Sequence, residues 1–98
     1  MNPDEKFIHE KQLVIEAIKS AEGEQRLIEY MTPYVNRIAY KYLDRGLDQE
    51  GLLAAAFSNI YRALIGYNHH LNEGSDYLFS TYFIWWARKG ITARLKDS

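Results

Sequence analysis

Ninety-eight residues, 47% of them apolar and 26% charged, suffice for one globular domain with a modest core. No run of roughly 18 apolar residues exists to span a bilayer, and the acids in the opening MNPDE, with no apolar stretch behind them, argue against a secretory leader. The chain has no cysteine, which removes disulfide scaffolds and thiolate metal sites and fits a reducing, cytoplasmic setting.

The net charge of −1 hides an asymmetry: residues 1–76 sum to −4 and residues 77–98 to +3. An acidic body with a basic end implies two surfaces with different partners.

Helical signals run nearly throughout. Segment 4–21 places Phe7, Ile8, Val14, Ile15, Ile18 and Ala21 on one apolar stripe, which Gly23 interrupts. A short segment from Glu24 to Met31 follows. Thr32-Pro33 has the form of an N-cap with proline at the first helical position, so the next helix is expected from Pro33 to about Leu43. Val35, Ile38, Ala39 and Tyr42 form its buried side, Asp44-Arg45-Gly46 ends it, and Tyr30, Tyr34 and Tyr40 are expected as half-buried packing residues. Asp48 is a cap for a helix over 48–66, whose stretch GLLAAAF is apolar nearly all round and predicts the central helix. Residues 68–76, NHHLNEGSD, read as a polar loop broken at Glu73-Gly74. The last helix is expected from the cap Ser80 to about Lys96. The fold class is all-α, a compact bundle of about four helices.

At about 100° per residue, Ile84, Ala87, Ile91 and Leu95 make the core stripe of this last helix. Tyr82, Trp85, Trp86, Lys89, Thr92 and Lys96 fall on another side, so aromatics share a face with cations. Unpaired bases stack on such rings while cations track phosphates; packing against the first helix or the 68–76 loop is the other use of such rings. Elsewhere the chemistry is sparse. His69 and His70 lack partners at metal-ligand spacing, no nucleophile–base pattern or phosphate loop is evident, and no catalytic activity, metal or cofactor is expected.

The segment FSTYFIWWARKGIT, residues 79–92, resembles the FSTYxxWWxRxxIT string of bacterial RNA polymerase sigma factors, within the second conserved region of the sigma-70 family. VNRIAYKYLDRGL (35–47) is similar to the helix before that region's core-binding helix, and FSNIYRALIGY (57–67) to the core-binding helix's second half. The division expected from this is an N-terminal helix over 1–26 and a region-2-like part over 27–98, together one compact unit.

The resemblance implies a transcription initiation factor that binds core RNA polymerase, at the clamp of its largest subunit, and recognises and melts the promoter minus-ten element on single-stranded non-template DNA. It implies that Tyr82 stacks on a flipped adenine, that Trp85 and Trp86 wedge against the upstream duplex edge, and that Phe79 and Thr81, with Tyr77 just before them, line the base pocket. Arg88, Lys89 and Thr92 fall near phosphates and the upstream base pair, and Arg94 adds a cation. Asp48, Gln49, Glu50, Leu52, Leu53, Asn59 and Arg62 fall to the polymerase contact. Where the family carries a polar signature resembling DLxQEG, this chain has Gly51-Leu52-Leu53-Ala54-Ala55-Ala56 in ungapped register, and a QEG stands five positions early at Gln49-Glu50-Gly51. The 68–76 loop is longer than in the primary factors. No minus-thirty-five reader follows Ser98, which fits a domain of a longer chain or a lone second region working with a separate region-4 chain. The alternative expectation is a regulatory module that binds a split sigma or anti-sigma factor through an apolar helix groove and no longer grips polymerase in the usual way.

Overall fold

The computed structural model describes residues 1–97; Ser98, the last residue of the expected 27–98 unit, lies outside them. Five α-helices follow one another: α1 Pro3–Lys19, α2 Ala21–Ala39, α3 Gln49–Phe57, α4 Ile60–Asn72 and α5 Phe79–Asp97, with a 3-10 turn over Tyr40–Arg45 between α2 and α3. Among the described residues there is no strand, as the all-α expectation requires.

The first break comes at Ser20, not Gly23. Ser20 ends α1 in an extended conformation and caps α2, its Oγ accepting the Gly23 N–H at 3.0 Å. Gly23 is buried in the first turn of α2, where a Cβ would run into the carbonyl of Glu16, so the glycine permits the close α1–α2 corner. The inner side of α1 is Glu10, Val14 and Ala17. Ile8 and Ile18, expected on the stripe, are exposed instead.

No helix begins at Pro33. The α2 helix runs through it; Thr32 donates its hydroxyl to the Ile28 carbonyl at 2.7 Å rather than capping. Pro33 and Glu29, whose carbonyl loses its helical donor, are both exposed, so the proline stands on the solvent side of the helix, where it is tolerated. Helix α2 packs against α1, α3 and α5 and buries Leu27, Met31, Val35, Ile38 and Ala39; it, and not the 48–66 segment, is central. Tyr30 and Tyr34 are half-buried as expected, whereas Tyr40 is exposed. Gly46 ends the 3-10 turn at φ 111°, a conformation that favours glycine.

Asp48 caps α3 as its sequence position suggests, accepting the Gly51 N–H at 2.8 Å. The single helix expected over 48–66 is two helices broken at Ser58-Asn59. Ser58 donates its hydroxyl to the Ala55 carbonyl at 2.6 Å, and Asn59 leaves helical geometry at φ −102°, ψ 16°. The break lets α3 pack on α2 and α5 while α4 packs on α1 and α5. Helix α4 then continues to Asn72, so His69 and His70 stand on its last turns rather than in a loop. His69 Nε2 and Glu73 Oε1 lie 3.0 Å apart across one turn.

Helix α5 buries Phe79, Phe83, Ala87 and Ile91 completely, while Ile84 and Leu95 are half-buried. Ala87 and Ile91 thus hold the expected stripe, while Phe79 and Phe83 carry it toward the N-terminus in place of Ile84 and Leu95. Phe83 stacks between Phe57 and Phe79, at 5.5 Å from each ring. Gly90 is buried against the Ala55 carbonyl, so α3 and α5 cross with almost no side chain between them.

Candidate nucleic-acid interface

The exposed side of α5 carries the corner expected from the helical projection. The rings of Trp85 and Trp86 meet edge to face, 5.2 Å apart at 87°. Lys89, one turn on, holds its ammonium 5.2 Å from the Trp85 centroid and 5.3 Å from that of Trp86, which favours the cation on the electron-rich faces. Trp85 is 61% exposed. Trp86 is half-buried, and its indole N–H is buried with no acceptor among the described residues. One tryptophan is displayed and its neighbour is built into the domain.

Arg88 and Thr92 are exposed beside this corner, whereas Arg94, also exposed, lies around the helix on the α3–α5 groove. Thr92 turns its hydroxyl back onto the helix, 2.9 Å from the Arg88 carbonyl and 3.2 Å from that of Lys89. Thr81 is exposed on the first turn.

Tyr82 belongs to a second cluster and leans toward α4. Its ring lies 5.6 Å from Tyr67, 5.6 Å from His70 and 5.9 Å from Tyr77, the last pair offset-stacked at 27°. Its hydroxyl occupies the space that a Cβ on Gly66 would fill. Tyr77 is exposed at the edge of the cluster, Tyr82 is half-buried, and Phe79 beneath them is fully buried. Phe79 therefore supports the cluster from the core and presents no surface of its own. Tyr67 donates its hydroxyl to the Tyr77 carbonyl at 2.6 Å. Burial first, then the charge of Glu10, pushes the Tyr67 phenol up to about 12. Sequence reasoning missed Tyr67 and His70: the first fell just past the helix expected over 48–66 with no stated role, and the second was placed in a loop.

The residues assigned to a polymerase contact scatter over α3 and the start of α4. Asp48 is taken up by its cap, and Gln49 donates its amide to Asn36 at 2.6 Å. Glu50 and Arg62 are exposed, and Leu53 and Asn59 are half-buried. Leu52 has no exposed surface and faces the core, not a partner. What the sequence did not single out is the apolar display on α4: Tyr61 is 69% and Ile65 52% exposed. With Ile18 of α1 they line an open groove of about 380 Å3. A smaller groove, about 300 Å3, runs between α3 and α5 and places Asn59 and Arg94 along one surface.

A further cation–aromatic cluster, also unexpected, crosses α1 and α2. Lys6 lies 5.0 Å and Arg37 5.9 Å from the Tyr34 ring. The Lys6 ammonium beside it holds the Tyr34 phenol below its ordinary value. The described residues include no group of three or more His, Asp or Glu able to hold a metal ion, and no described helix is long and apolar enough to cross a membrane.

A family model described as Sigma-70 region 2 matches residues 27–98. The chain belongs to that family. Sigma-70 region 2 accounts for α2 from Leu27 onward, α3, α4 and α5, and leaves α1 outside the match. The chain is 31% identical over 75 residues, 76% of its length, to RNA polymerase sigma factor SigA of Microcystis aeruginosa, and to the like-named factor of Synechocystis over the same span. It is 31% identical over 87 residues, 89% of its length, to RNA polymerase sigma factor RpoD of Neisseria gonorrhoeae. These relatives are much longer: the chain covers 17% of the first and 13% of the last. No solved structure matches.

Proposed function

We propose that this region-2 domain acts in transcription initiation, docking on core RNA polymerase and capturing single-stranded minus-ten promoter DNA. The observation that carries the reading is the corner of Trp85, Trp86 and Lys89, which displays a largely exposed indole with a cation over its ring. A base stacked on such a ring is held by roughly 1–3 kcal/mol, comparable to the few kcal/mol needed to extrude a base from a duplex. Arg88 extends the cationic surface for the phosphates, and Arg94 offers a further cation on the α3–α5 side of the helix. Tyr82, partly covered by Tyr77, receives its base on the remaining face or after Tyr77 moves aside.

The domain has few cations and a net charge of −1. Phosphate contacts supply most non-specific affinity, so DNA capture is expected only when polymerase presents the strand. The docking surface under this reading is the outer side of α3 and α4, with Glu50, Tyr61, Arg62 and Ile65. Family membership and the relatives' names support the initiation role.

One observation favours the second reading, a regulatory module for a split-sigma or anti-sigma partner. Leu52, Ala55 and Ala56 are buried in α3, so the stretch in place of the polar signature offers little for polymerase to grip. A pull-down with core polymerase followed by crosslinking to forked minus-ten DNA decides between them. Retention on polymerase, with the crosslink lost on reversing Arg88 and Lys89 to glutamate, supports initiation. A domain that ignores polymerase yet binds a protein partner unaffected by that reversal supports the second.

A further inference from the structure

Glu10 is a carboxylate with no exposed surface, on the helix that lies ahead of the matched residues 27–98. A buried carboxylate is tolerated when donors satisfy its oxygens. Two do so here: the Tyr30 hydroxyl donates at 2.8 Å and the backbone N–H of Ser80 at 2.7 Å. Burial, with hydrogen bonds to Tyr34 and Glu10, raises the Tyr30 phenol well above its ordinary value, so it stays a donor.

The Ser80 N–H is one of the first-turn donors of α5 that no carbonyl of its own helix reaches. Leu78, the residue ahead of the helix, has no side-chain acceptor to serve it. Glu10 supplies one from 70 residues away, and sets a negative charge at the positive end of the α5 dipole. From the other side, Tyr67 holds the carbonyl of Tyr77 just upstream.

We infer that Glu10 is a positioning residue for the DNA-contacting helix: it caps α5 in place of a local N-cap and so fixes Thr81 and Tyr82 on their first turn. Helix α1 is thereby part of the reading apparatus although it lies outside the family match. Glu10 itself is too buried to touch DNA. The DNA half of this inference rests on the initiation reading above; the capping half does not.

The test is amide exchange by NMR on the whole 98-residue chain, paired with DNA retention on polymerase. Glu10→Gln keeps the side-chain volume and one acceptor but removes the charge. It is expected to speed exchange at Ser80 and Thr81 by about tenfold relative to Ala87 and Ile91. Polymerase retention stays unchanged, and retention of forked minus-ten DNA drops by about three- to tenfold. Adding Leu78→Asp, which places an acceptor at the local cap position, restores both readouts. Unchanged exchange at Ser80, no rescue by Leu78→Asp, or a uniform rise in all helices with polymerase and DNA lost together overturns the inference. Should Glu10→Gln not fold, Tyr30→Phe removes only the second donor; a rise confined to the start of α5 supports the inference, and no rise there overturns it. If the wild type holds no DNA on polymerase, the initiation reading and the DNA half fall, while the exchange ratio still decides the cap.

Discussion

Replacing Trp85 with alanine separates binding from folding, because the ring is displayed and not built in. At 61% exposure, roughly 100 Å2 of the indole leaves water on folding, an upper bound of about 2.5 kcal/mol at 25 cal/mol/Å2. Part of that cover is the helix's own backbone, which alanine also has, and alanine's higher helix propensity returns about half a kcal/mol. The net cost is therefore about 1 kcal/mol, a drop of roughly 4–8 °C in Tm for a domain of this size. Loss of a base stack costs about 1–3 kcal/mol, or about 5- to 150-fold in affinity. The assay is retention of forked minus-ten DNA on polymerase carrying each variant, beside thermal melts of the free domain. Trp85→Ala is expected to lose the DNA and keep both fold and polymerase, and Trp85→Tyr to recover most of the DNA. Trp86→Ala, which empties a half-buried site, is expected to lower Tm by clearly more than Trp85→Ala. DNA retention unaltered by Trp85→Ala, or falling only in step with Tm across all three variants, would refute the stacking argument.

Two further outcomes follow from named groups. The Tyr67 phenol is raised in the folded chain from 10.0 to about 12, so its contribution to stability is complete below pH 10 and is lost as pH rises through that window. Melts from pH 9 to 12 should show a steep decline that Tyr67→Phe flattens; an equal slope in the two proteins would rule this out. On α4, Tyr61→Asp and Arg62→Glu alter exposed side chains and are expected to leave Tm within about 2–4 °C, since surface changes stay near half a kcal/mol. Under the initiation reading each weakens polymerase retention at least several-fold, and full retention in both would move the docking surface elsewhere.

The sequence signals that held were those whose cause is local. Asp48 caps α3 and Gly46 closes the preceding turn because a side chain three residues from its donor, or a left-handed backbone, needs no tertiary partner. The displayed Trp85 with Lys89 one turn on was legible from helical projection for the same reason. What failed depended on distant contacts. Pro33 has the form of a helix start, but it lies on the solvent side of α2, whose other face is held by α1, α3 and α5. The Ser58-Asn59 break carries no proline or glycine and arises because α3 and α4 must face different neighbours. Phe79 and Phe83 were not placed in the core because Phe57, which stacks on Phe83, comes from another helix. The cap of α5 was assigned to Ser80, the nearest polar residue, when its acceptor is Glu10 at the far end of the chain.

The stretch Gly51–Ala56 stands where the family's polar signature falls in ungapped register, and the packing of α3 decides which of those positions can be polar here. Ala55 aligns with the glutamate, is 6% exposed, and its carbonyl lies against Gly90 of α5. A glutamate there either buries its carboxylate without a partner or forces the two helices apart, at a cost of several kcal/mol. Ala54 aligns with the glutamine and is exposed on the open α3–α5 groove, so a longer polar side chain has room without entering the core. Ala54→Gln should therefore leave Tm within a few degrees and, under the initiation reading, tighten polymerase retention by adding a hydrogen-bonding group to the docking face. Ala55→Glu should lower the urea midpoint sharply, with both polymerase and DNA lost through unfolding. An Ala55→Glu variant as stable as the wild type would mean that the α3–α5 crossing is looser than its glycine implies, and that packing does not explain the absent carboxylate. If Ala54→Gln folds but leaves polymerase retention unchanged, this face of α3 is not where polymerase grips, and Tyr61, Arg62 and Ile65 on α4 become the contact to be tested.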